Sequence, residues 1–142
     1  AGDWTAQEKV YLDNLTRSLY PPLQRLAFPT TAYNCHGWTT LGTAHWVNSS
    51  QFASFVGDGS YSYIISGVGE PTSSQIAFLD TYFYGDYDKV VIVYDYSNTH
   101  SATYIGGGWV RSTWGNKGAY EHSIGNQPYS PVWFAYVQYP TI

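Results

Sequence analysis

The chain has 142 residues, a formal net charge of −4 and only 11% charged residues, against 19% aromatic ones. That length suits one domain with one core, and the aromatic density excludes an intrinsically disordered chain. The acidic balance excludes a partner that needs phosphates neutralised, and no run nears the ~20 apolar residues of a membrane span.

Thr5, followed by Glu8 three residues on, forms a capping box that predicts a first helix from about Thr5 to Leu19. Val10, Tyr11, Leu15 and Leu19 fall at helical spacing, and Pro21-Pro22 stops the helix. An extended arm follows from Pro21 to Ala32. A second helix is expected from Cys35 toward Trp46, with Asn34 as its N-cap. Ser50 is expected to cap a short helix through Phe55. The stretch from Gly57 to Gly69 reads as a loop with a short extended piece at Tyr61–Ile65. Thr72 or Ser73 caps a further helix through about Tyr84, ended by Gly85.

From there the period changes. Lys89–Tyr94 reads as a buried strand, and His100 to Ile105 as the next. Gly106-Gly107-Gly108 makes a tight turn, and Trp109 to Thr113 returns as a hairpin partner. Tyr129 to Tyr139 is the last predicted strand. Helices followed by an antiparallel meander predict a single α+β domain over 1–142, with an N-terminal helix and arm over 1–32 and a core over 33–139.

Cys35 is the only cysteine, so it has no disulfide partner within the chain. In the first turn of a helix, a thiol sits at the positive end of the dipole, which favours thiolate. His100, at the head of a strand, is the candidate general base, giving the minimal pair for a cysteine nucleophile. A third group must hold the imidazole tautomer. Ser112, across the hairpin, is the candidate, with Asn116 and Glu121 as runners-up. Arg111 is expected on the opposite face. The competing reading of Cys35 is a small buried hydrophobe.

These residues resemble a family. A helix-start Cys, a strand headed by His, a Gly turn and a return strand with a polar residue are similar to the papain-like NlpC-type peptidases and CHAP amidases. A closer resemblance is to an uncharacterised papain-like domain family. It is carried by Asn34-Cys35, Phe83-Tyr84-Gly85, Lys89–Tyr94, Thr99-His100-Ser101-Ala102, Gly108-Trp109-Val110-Arg111-Ser112 and Glu121-His122, in that order. The resemblance implies a papain-like fold, N-terminal helices packed on an antiparallel sheet of about four to six strands. It implies Cys35 as nucleophile and His100 as base, cleaving an amide bond in peptides or cell-wall-type peptides through a thioester. The Cys35 N–H, with Tyr33 or another upstream side chain, would serve the oxyanion. His, Asn or Gln is the usual third residue, and Ser112 departs from that.

Further substrate-binding candidates are Asn34, Trp114, Asn116 and His122. Trp114 lies in the Gly/Asn loop Ser112–Gly118, where an exposed indole would stack on a glycan or peptide. No His pair has zinc-motif spacing and the thiol has no second thiol, so no metal or cofactor is expected. The start Ala1-Gly2-Asp3 fits a processed, secreted protein, and Asn14-Leu15-Thr16 and Asn48-Ser49-Ser50 are glycosylation acceptors. The alternative is a non-catalytic secreted binding protein on the same fold, lectin-like, defensive or immunomodulatory, recognising a glycan or cell-surface array. Either reading expects a monomer or homodimer with no nucleic-acid or membrane partner.

Overall fold

The run Lys89–Tyr94 forms the middle of the molecule because five successive side chains, Val90 to Tyr94, are buried, which only a strand covered on both faces allows. The computed structural model of the chain describes residues 3–27, 61–87, 89–95, 100–114 and 118–139. Within them lie helices α1 (Ala6–Leu19) and α2 (Ser73–Phe83). The strands are β1 (Gln24–Ala27), β2 (Tyr61–Val68), β3 (Lys89–Tyr94), β4 (His100–Gly106), β5 (Trp109–Thr113), β6 (Ala119–Ser123) and β7 (Val132–Gln138). All seven strands join one antiparallel sheet in the order β1-β6-β5-β4-β3-β7-β2.

This overturns the expected papain-like α+β arrangement of helices packed on four to six strands. The described residues are mostly seven-stranded sheet, with only two helices. The extra strands come from segments that sequence left as arm, loop or motif. The arm Gln24–Ala27 pairs with β6, the supposed loop becomes the eight-residue β2 against β7, and the Glu121-His122 pair sits inside β6. The helices expected from Cys35 and from Ser50 lie outside the described residues.

Both helices start where their capping boxes place them. Thr5 and Glu8 exchange side-chain and backbone bonds at α1, and Thr72 and Gln75 do so at α2. The main core fills one sheet face. Leu79 of α2 packs there among Val90, Ile92, Tyr94, Ala102, Tyr104, Val110, Trp133, Ala135 and Val137. Asp80, one residue on, accepts from the Tyr104 hydroxyl (2.6 Å) and the Gly107 N–H (3.0 Å), tying α2 to the β4–β5 turn. The opposite face carries a smaller cluster of Tyr61, Val91 and Val93 with Tyr136.

The first helix docks by charge rather than by its apolar stripe. Val10, Tyr11, Leu15 and Leu19 are exposed, whereas Asp13 and Thr16 are buried. The Asp13 carboxylate accepts from Arg17 and Arg25, both at 3.0 Å, and from the Tyr120 hydroxyl at 3.1 Å. Helix α1, β1 and β6 therefore meet at one buried carboxylate. No described helix is long and apolar enough to cross a membrane.

Candidate functional site

Strand alternation decides which candidates meet. Tyr94 pairs with His100, Tyr104 with Val110, and Val110 with His122. His100, Ser112, Trp114 and His122 therefore rise from the same face as the main core. All four are buried, at 0–1% exposure. Glu121 points the other way, paired with Arg111 at 3.0 Å, so this runner-up stands across the sheet from His100. Tyr33, Asn34, Cys35 and Asn116 lie outside the described residues.

Three of these candidates close into one chain of hydrogen bonds. The Trp114 indole N–H donates to Ser112 Oγ at 3.0 Å, and Ser112 Oγ lies 2.7 Å from His122 Nε2. His122 Nδ1 lies 2.7 Å from the Ser123 carbonyl oxygen. A carbonyl can only accept, so the proton sits on Nδ1 and Nε2 accepts from the serine hydroxyl. Burial holds the imidazole neutral, pushing its pKa down to about 4 against weaker opposing effects of the Ser123 carbonyl and Glu70. The serine proton thus goes to His122. The orienting bond expected from Ser112 to His100 gives way to a Trp114–Ser112–His122 network. Trp114, expected as an exposed stacking residue, is instead packed edge-on to Tyr20, Tyr120 and His122.

Replacing Ser112 with alanine should therefore act on stability. It removes the donor to His122 Nε2 and leaves the buried Trp114 indole N–H only its longer 3.4 Å bond to that nitrogen, at a cost of about 1–3 kcal/mol. Chemical denaturation should show that loss. A variant as stable as the parent would mean that the network carries nothing.

His100 is positioned by rings. It stacks on Tyr129 at 3.9 Å and 12° between planes, and meets Tyr94 of the neighbouring β3 at 5.3 Å. Tyr94 in turn donates from its hydroxyl to the Ile124 carbonyl at 2.6 Å, which fixes that ring. Tyr129 is a residue that sequence reading missed as part of the site. The sequence pattern places it in the last strand, but it belongs to the loop before β7. Gln127 shapes that loop: its side-chain oxygen accepts from the N–H groups of Tyr129 (2.7 Å) and Ser130 (3.0 Å). Only the folded path of this loop brings Tyr129 over His100, so no local pattern announces it.

Among the described residues, no group of three His, Cys, Asp or Glu side chains is arranged to hold a metal ion. A cavity of about 420 Å³ runs along α1 beside Trp4, Glu8 and Tyr11, and among the described residues none of the predicted site residues lines it. No protein family, curated protein or solved structure matches the chain.

Proposed function

We propose that the chain is a secreted cysteine hydrolase that cleaves an amide bond, with Cys35 as nucleophile and His100 as general base. The observation that carries the reading is the fixed imidazole of His100, buried at the head of a central strand and stacked on Tyr129. A general base benefits from such restraint, because proton transfer requires the ring to be aimed before substrate arrives. In the proposed cycle His100 takes the thiol proton and the thiolate adds to the amide carbonyl carbon. The C–N bond then breaks, the amine leaves with the proton returned by His100, and a thioester remains. Water, deprotonated by His100, releases the acid and restores the thiol. Stacking on Tyr129 would do part of the orienting work that a third polar residue does elsewhere.

The test is the pH dependence of Cys35 alkylation by a small haloacetamide. The folded protein should react with an inflection well below the ~8.5 of a free thiol. His100→Gln, which preserves bulk, should raise that inflection, and Tyr129→Ala should raise it less. An inflection near the free-thiol value in the parent would overturn the pairing.

A second reading, a non-catalytic binding protein for glycans or cell surfaces, is supported by large aromatic side chains left in solvent, among them Tyr11, Tyr63, Tyr84 and Tyr139. It expects an unshifted thiol, and ligand binding indifferent to Cys35→Ala.

A further inference from the structure

We infer that a cleft at the α2 end of the sheet binds an organic ammonium group on a short apolar stem. The cleft holds about 280 Å³ and is lined by Glu70, Pro71, Ile76, Gly108, Trp109 and Ser123. The inference stands independently of the Cys35–His100 reading.

Glu70 is the anchor. Ser123 Oγ donates to its Oε2 at 2.6 Å, and the Gly125 N–H donates to its Oε1 at 2.7 Å. Both partners are neutral donors, so the carboxylate is rigidly aimed while its charge keeps no counter-ion among them. None of the described residues lining the cleft is basic. Arg111, two residues along from Trp109 on the same face, is already paired with Glu121.

The walls suit the stem and the charge. Trp109 is 39% exposed, leaving its indole surface available to a cation. Ile76 and Pro71 supply the apolar side. Glycines keep the space open. Gly108 adopts φ +85°, and a Cβ there would come within 3.0 Å of Ile76. A Cβ on Gly125 would stand 2.6 Å from Glu70 Oε1, so only glycine lets the backbone clamp this carboxylate. An aimed carboxylate, an open indole and an aliphatic wall together select an ammonium over a neutral sugar or an anion.

The ammonium could belong to a free alkylamine or to a lysine side chain on a polypeptide. Titration of the whole protein with butylamine, with a lysine-containing tripeptide and with glucose separates these, following the Trp109 indole N–H resonance assigned through Trp109→Phe. Both amines should shift that resonance, with affinity that falls as salt rises. Glu70→Gln should weaken binding about tenfold, the loss of one charge-assisted bond. Trp109→Ala should weaken it more than Trp109→Phe, read from the remaining backbone shifts at Ser123. A preference for the tripeptide identifies a polypeptide source, and equal affinity a free amine; both uphold the site. A shift by glucose matching that of the amines, amine binding unchanged in Glu70→Gln, or no shift with any probe would overturn it.

Discussion

Replacing Asp13 with alanine should destabilise the fold by about 3 kcal/mol. The buried Tyr120 hydroxyl would lose its acceptor, at about 1–3 kcal/mol. The bonds from Arg17 and Arg25 would go as well, each worth up to about 1 kcal/mol because both guanidinium groups are more than a third exposed. Asp13→Asn keeps an accepting oxygen for Tyr120 and should cost less. The order parent, Asn, Ala in urea midpoint is the expected result. Midpoints in both variants equal to the parent's would mean that α1 is held by something other than this carboxylate. The exposed stripe of Val10, Tyr11, Leu15 and Leu19 gives a second comparison. Leu19→Ser, at a 64% exposed position, should change stability by no more than about 0.5 kcal/mol.

That contrast shows how sequence and structure part company. The start of α1 was legible because a capping box is local: four residues contain both partners of each bond, and the start of α2 was legible from Thr72 as a capping residue type. The central strand was legible because a run of buried side chains needs no knowledge of its neighbours. The face that α1 presents was not legible. Apolar spacing pointed to one stripe, while the docking face is set by Arg25 and Tyr120, which are distant in sequence from Asp13. The same applies to β2 and β6. Tyr61–Val68 contains Ser and Gly and lies at the sheet edge, half exposed, so its pattern lacks the clean alternation that marks a strand.

The candidate site divides along the same line. His100 at the head of a strand and Ser112 on the facing strand were readable from the Gly106–Gly108 turn, which sets the hairpin. What Ser112 binds was not readable, because its partner His122 stands on β6, and β6 was not seen as a strand. Once Val110 pairs with His122, the imidazole lies one position along from Ser112 on the same face, and the serine proton is taken. Trp114 likewise read as a loop residue. It is buried because Tyr20, from the end of α1, and Tyr120 close over it.

The buried imidazole of His122 should also make stability depend on pH. Its folded-state pKa is about 4, below the ordinary 6.5, and burial is the main cause. The unfolded chain therefore binds a proton between those values that the folded chain refuses. Stability is complete above about pH 6.5 and falls as pH drops toward 4, below which both states are protonated and the loss levels off. The interval corresponds to about 3 kcal/mol. Protonation of Nε2 would also remove the acceptor that Ser112 uses, so the serine hydroxyl would have to turn away and accept from the imidazolium instead. His122→Gln supplies a comparator, since its amide can accept from Ser112 and donate to the Ser123 carbonyl without titrating. Urea unfolding of both proteins at pH 7 and pH 4 should give a parent that loses about 3 kcal/mol more than the variant. Parallel losses would assign the acid sensitivity to other groups and leave His122 a neutral packing residue at every pH.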